Sequence, residues 1–343
     1  MIVPILNGLL RFYKAPITWI IFFLNGAVFL GSIVPSVESQ TTIDHYLDNE
    51  HFLRLQGRLF AQYIQQNPED YTDLMQNLAA RGLKGSTEKL QLLGSLAVRN
   101  SQFMSEAPNL EFRGDQVEIK RWRRDIKQLQ NSQDRHPSYV LGLTADDVSV
   151  GKWLSYIFVH SGTYHFIGNM YFLLIFGSML EPIIGGLAVL VVFLLSGMVA
   201  AGVFILLTGA TAAPLIGASG AVSGLMALFC FYFWRRPVRF FYFLLPSIRY
   251  VGVIFLPAWV VLIMFVLSDL AGYWGSVGDF GGVAYTAHLG GEAAALLIGS
   301  IVYLLRYRNG PALAPVHVEK MGHPISMHDM VEAMRNRPRR HPR

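Results

Sequence analysis

The sequence predicts an all-α polytopic membrane protein, and three observations carry that prediction. Hydrophobic residues make up 52% of the 343 and charged residues only 15%, against roughly 25% charged in an ordinary soluble domain. Apolar stretches long enough to cross a hydrocarbon layer of about 30 Å recur along the chain instead of occurring once. Lys and Arg concentrate in some of the short segments between these stretches and are missing from others, the asymmetry that orients a multi-span protein.

Six spans follow in order, at residues 16–34, 162–180, 185–208, 219–234, 247–268 and 287–305. Residues 1–35 thus hold the N-terminal segment and first span, 36–150 an extracytoplasmic insertion, 151–308 the other five spans and 309–343 a tail. Arg11 and Lys14 precede the first span, Arg235, Arg236 and Arg239 separate the fourth from the fifth, and Arg306 and Arg308 follow the sixth. These segments put both termini in the cytoplasm, and the turns after spans three and five, which lack Lys and Arg, face outward. A signal peptide would also begin with a basic flank, but the apolar run from Ile17 to Val34 exceeds the usual core of about 7–15 residues.

Within the insertion, His51 to Gln66, Leu90 to Val98 and Val117 to Leu129 carry amphipathic helical patterns. Pro68, Gly82, Gly85 and Pro108 divide it into short helices. The tail, with Pro311, Pro315, Pro324, Pro338 and Pro342 and a basic ending, lacks periodicity and is expected to be disordered. Its His317, His323, His328 and His341 lack metal-ligand spacing. The single cysteine, Cys230, can build neither an intramolecular disulfide nor a thiolate zinc cluster. No metal or cofactor is implied. The net charge of +5 does not gather on one soluble module, so membrane lipid and not nucleic acid is the expected surroundings.

The chemistry-bearing residues lie at span ends. Gly217-Ala218-Ser219-Gly220-Ala221 opens span four, where orphan backbone N–H groups and the helix dipole can stabilise an anion beside a serine hydroxyl. Gly217 and Gly220 permit close approach. Taken alone, the pattern reads more simply as Ser219 capping the helix and the glycines packing it. A soluble hydrolase elbow fits poorly, because Ala221 replaces its last glycine and no buried strand precedes it. A nucleophilic serine needs a base, and His288, in Ala287-His288-Leu289-Gly290-Gly291 at the start of span six, is an ionisable group inside a membrane span. In span two, His165 and Asn169 are four apart on one face, suitable oxyanion donors or simple interhelical glue. With the N-terminus inside, spans two, four and six all begin at the outer face. His160, His165, Asn169, Ser219 and His288 therefore fall at one depth.

Together these motifs resemble the rhomboid proteases. The resemblance runs from His160-x4-His165-x3-Asn169 through Gly217-x-Ser219-Gly220 to Ala287-His288-x-x-Gly291. It implies a six-transmembrane-helix bundle, here with the helical soluble insertion between spans one and two that the amphipathic patterns predict. It also implies a Ser219 and His288 dyad without a third acid, and an oxyanion hole from His165, Asn169 and the Ser219 backbone N–H. Glu181 with Gly185, and His160, are similar to structural motifs of the family. The implied substrates are single-span membrane proteins with small residues at the cut site, entering beside span five, and the expected setting is a bacterial inner membrane. The competing expectation is an inactive rhomboid-like protein that binds membrane clients, against which Ser219 and His288 both argue. Other intramembrane proteases fit worse: a His-Glu-x-x-His run is missing, and Ser276-Val277-Gly278-Asp279 lacks the aspartyl pattern.

Three departures stand out. Gly151-Lys152-Trp153 replaces the family's Trp-Arg before the first histidine, and Ala295 replaces a glycine. Ser223 replaces an aromatic residue that packs on the histidine. Ser223 lies one turn below Ser219, and Glu292 one turn below His288 with its side chain leaning back toward it. One expectation from this spacing is that Glu292 meets Ser223 and helps to hold His288; the other is that Glu292 turns into a watery cavity and touches neither.

Overall fold

The computed structural model describes residues 2–4, 14–144, 147–208, 213–235, 237–243, 251–275 and 284–309. The tail, Arg11, Arg236, the first residues of the predicted fifth span and the Ser276 to Asp279 run lie outside the described residues. Two units are distinguished, Met1–Gly299 and Ser300–Arg343, and the first contains both the insertion and nearly all of the helical bundle.

Helix α1 (Pro16–Leu47) begins at a proline, whose fixed φ suits a first helical turn. Its 32 residues extend about 48 Å at 1.5 Å per residue, well beyond an apolar layer of about 30 Å. It therefore continues through Pro35, past the predicted stop at residue 34, and becomes the first wall of the insertion. There the Tyr46 hydroxyl donates to Gln128 Oε1 at 2.7 Å.

The insertion comprises α2 (Glu50–Gln66), α3 (Asp73–Leu83), α4 (Thr87–Ala97), α5 (Ser101–Glu106), α6 (Gln116–Gln133) and α7 (Pro137–Val140). Polar residues before the helices set their starts. Asn49 accepts from the Phe52 N–H, Asn100 from the Phe103 N–H and Asp115 from the Val117 N–H. Phe60, Tyr63, Phe103 and Trp122 fill the core. Helices α2 and α4 touch backbone to backbone: a methyl on Gly57 would sit 1.8 Å from the Leu90 carbonyl oxygen, and one on Gly94 2.0 Å from that of Leu53. Buried Gln56 spans this crossing, donating to the Gly94 carbonyl at 2.9 Å and accepting from Trp122 Nε1 at 3.2 Å. Gly82, predicted to interrupt the chain, instead lies inside α3 against Leu90 and Leu93.

The bundle continues with α8 (Lys152–Ser155), α9 (Thr163–Ile184), α10 (Gly186–Thr208), α11 (Ser219–Tyr232), α12 (Ala258–Gly275) and α13 (Tyr285–Asn309). Helices α1, α9, α10, α12 and α13 are long and apolar enough to cross a membrane. The helical content is that of the all-α membrane protein the sequence predicts. Helix α11 has 14 residues, about 21 Å, about 9 Å less than an apolar layer of about 30 Å. Glu181, near the end of α9, accepts hydrogen bonds from the Ile17 and Thr18 N–H groups and the Thr18 hydroxyl at 2.7–2.8 Å. Its carboxylate caps the start of α1, satisfying donors that a helix leaves open.

One small antiparallel sheet joins β1 (Ile2–Pro4), β2 (Pro237–Phe243) and β3 (Val251–Pro257) in that order. It corrects the fifth span. Val251 to Pro257 pairs as a strand instead of opening a helix, since Val251, Val253, Ile254 and Phe255 favour a pleated surface and Pro257 opposes helix continuation. The helix then begins at Ala258 and runs to Gly275, seven residues beyond the predicted end at 268.

Candidate active site

The site is assembled where α11 and α13 cross. A methyl on Gly291 would lie 1.9 Å from the Gly220 carbonyl oxygen, and one on Gly220 would lie 3.2 Å from the carbonyl oxygen of Ala287. Only residues without side chains permit this approach, which brings the neighbours of Ser219 and His288 into contact. Below the crossing, Gly224 faces the Gly291 carbonyl and Ser196 of α10. Ala295, at the position of a family glycine, is fully buried.

Ser219 is the first residue of α11, and Ala218 occupies the cap position without a side-chain cap. The serine is therefore not spent on capping, and the first backbone N–H groups of the helix open toward it. Before it, Gly217 adopts φ +109°, a conformation natural to glycine, while its N–H donates to the Tyr156 carbonyl at 2.9 Å. Leu215 exchanges two backbone hydrogen bonds with Leu143 at 2.8 and 3.0 Å, tying the loop to the end of the insertion.

Helix α9 supplies the opposite wall. A methyl on Gly217 would meet His165 Nε2 at 2.8 Å and Asn169 Nδ2 at 3.7 Å, so both donors lie against the loop that carries Ser219. Ser161 Oγ lies 3.1 Å from His165 Nδ1, which leaves Nε2 turned to the Gly217 side. Asn169 Nδ2 donates one hydrogen to the His165 carbonyl at 3.0 Å, leaving its second amide hydrogen. His160 is buried, with Nδ1 3.3 Å from the Phe158 carbonyl oxygen and its ring edge-on to His165 at 5.2 Å. Lys152, at the departure from the family pattern, donates to the Tyr139 carbonyl at 2.9 Å and pairs with Asp147 at 2.8 Å. That bond holds the Asp147 carboxyl below its usual range.

A Rhomboid domain model matches residues 149–305, the stretch that contains every one of these wall residues except Leu143, Asp147 and Tyr139. Residues 149–305 are a rhomboid domain. Rhomboid-related protein 2 of Mus musculus is 33% identical over 159 residues, which cover 44% of this chain and 48% of that protein. The chain thus spans about half the length of the curated relative it matches, and a mouse relative gives no ground for the bacterial setting expected above.

The rhomboid domain differs from the sequence expectation one turn below Ser219 and His288. Glu292 is 2% exposed, yet neither of its carboxylate oxygens has a hydrogen-bond partner among the described residues. The predicted contacts from Glu292 to Ser223 and to His288 are therefore not formed. Ser223 stays half-buried on α11. Nδ1 of His288 lies instead 3.0 Å from Oδ1 of Asp269, on α12. Asp269 is missing from the sequence expectation because the predicted span ended at residue 268, which put it in a loop. Its signal was present: Pro257, as a helix start, moves Asp269 inside the membrane helix, where an acid is a functional candidate.

Proposed function

We propose that this protein is an intramembrane serine endopeptidase, with Ser219 as nucleophile and His288 as general base. The observation that carries this reading is the backbone contact of Gly220 with Gly291, which sets the start of α11 against the start of α13. Ser219 Oγ attacks a peptide carbonyl carbon while His288 takes its proton. The carbonyl electron pair moves onto oxygen, where His165 Nε2, the free Asn169 amide hydrogen and the Ser219 N–H receive it. Histidine then gives its proton to the leaving nitrogen as the C–N bond breaks. Water repeats the sequence on the acyl-enzyme.

The substrates are single-span membrane proteins. A peptide bond in a helix is shielded by its own hydrogen bonds, so residues that loosen the helix near the cut are part of what makes a substrate. The basic segments orient both termini to the cytoplasm and the site to the opposite face. The shortness of α11 supports a Ser219 that lies below that face, within reach of water from it.

Purified protein in detergent, mixed with a single-span substrate, tests the reading. Ser219→Ala is expected to abolish cleavage while the substrate still binds. Cleavage that persists in Ser219→Ala overturns the peptidase assignment. Binding without cleavage in the unaltered protein would support the client-binding alternative.

A further inference from the structure

We infer that Asp269 is a positioning residue that holds the His288 imidazole in the tautomer and orientation catalysis needs, so that the dyad works as a Ser–His–Asp triad assembled from three helices. This rests on the peptidase reading of Ser219 and His288.

Three observations carry it. The Asp269 Oδ1 to His288 Nδ1 distance is 3.0 Å, inside the range of a made hydrogen bond. Both side chains are shielded, 15% exposed for His288 and 11% for Asp269, so water competes weakly for either partner. The contact also joins α12 to α13 at a second point, where Gly272, three residues after Asp269, packs against the Tyr285 ring. Tyr285 in turn stands edge-on to His288 with ring centroids 6.4 Å apart. The imidazole is therefore held by an acceptor on one side and an aromatic wall on another.

The chemistry follows from which nitrogen is engaged. A carboxylate can only accept, so Nδ1 carries the hydrogen, and the other ring nitrogen, Nε2, has a free electron pair. That is the form able to receive the Ser219 proton. When it does so, the imidazolium keeps its Nδ1–H on Asp269, whose negative charge offsets the new positive one. The proton goes on to the leaving nitrogen, and Asp269 neither gains nor loses one. Glu292 does not duplicate this role, since it makes no hydrogen bond to the ring.

Steady-state cleavage of a single-span substrate by the full chain in detergent, with Asp269→Asn, Asp269→Glu and His288→Ala, tests the proposal. Asp269→Asn can offer its amide N–H to Nδ1 and stabilise the wrong tautomer. Its kcat is expected to fall about 100-fold or more with KM unchanged, as removal of an orienting acid does in a serine triad. Asp269→Glu keeps the charge and should recover part of the loss. Adding Asp269→Asn to His288→Ala should cost nothing further, because both act through one imidazole. A kcat near the parental value in Asp269→Asn, or full additivity with His288→Ala, overturns the proposal. If Asp269→Asn does not fold, the glutamate variant decides: a reduced kcat at constant KM supports the role, and an unchanged kcat with raised KM contradicts it. Ser219→Ala, run beside them, separates the two claims. Its failure to stop cleavage would overturn the peptidase reading, whereas its success with an indifferent Asp269→Asn would overturn the triad alone.

Discussion

Helices α2 and α4 in the insertion and α11 and α13 in the bundle use one packing device for opposite ends. In both, a pair of glycines lets two backbones touch, Gly57 with Gly94 and Gly220 with Gly291. In the insertion the polar group at the crossing is completely used: Gln56 is fully buried and bonded to both the Gly94 carbonyl and the Trp122 indole. In the bundle the polar groups around the crossing are left open. Ser219 caps nothing, Glu292 is buried without a hydrogen-bond partner, and Ser196 Oγ and Thr286 Oγ1 are likewise unpaired among the described residues. A satisfied crossing contributes stability. An unsatisfied one carries a cost that the surrounding helices must offset.

Breaking each crossing should therefore have different consequences. Gly291→Ala forces its new methyl away from the Gly220 carbonyl, a displacement of about 1.4 Å to reach ordinary C–O contact. Misplacement on that scale costs about 100-fold in rate. Cleavage by Gly291→Ala should fall by that factor even in preparations whose thermal unfolding shows a folded bundle. Gly57→Ala meets an equally hard carbonyl but lies on α2, which carries none of the residues around Ser219 and His288. It should destabilise the insertion by about 1–3 kcal/mol, the usual result of overpacking, seen as an earlier denaturant midpoint with turnover per folded molecule retained.

The smallest effect concerns acidity in the insertion. Burial pushes the His136 imidazole below its ordinary value, and its Nδ1 accepts from the Ser138 N–H at 3.2 Å. The folded state thus binds fewer protons at this position than the unfolded chain does. Stability is present above the ordinary histidine range and declines as pH falls through it. Denaturant midpoints measured across that range should drop on acidification in the parent and less so in His136→Gln.

Much of this was legible in the sequence. The helices His51 to Gln66 and Val117 to Leu129 are marked by apolar periodicity, and the Ser219 loop by its glycines and its place at a span start. What escaped notice did so for identifiable reasons. Helix α1 outruns its apolar segment because its second half gains burial from α6, a tertiary contact with no local signature. The stretch Val251 to Pro257 is apolar enough to pass for membrane helix, and only its pairing with Pro237–Phe243 makes it a strand. That single misreading displaced the predicted helix and hid Asp269. Glu292 was misjudged because helical spacing specifies a face but not whether the neighbour's side chain meets it.

The central claim is that the α11 and α13 crossing activates Ser219 through His288. Labelling by a fluorophosphonate probe, followed by peptide mapping, tests it most directly. One adduct is expected, on Ser219, lost in Ser219→Ala and greatly slowed in His288→Ala. An adduct on another residue, or labelling of Ser219 that is indifferent to His288, would contradict it.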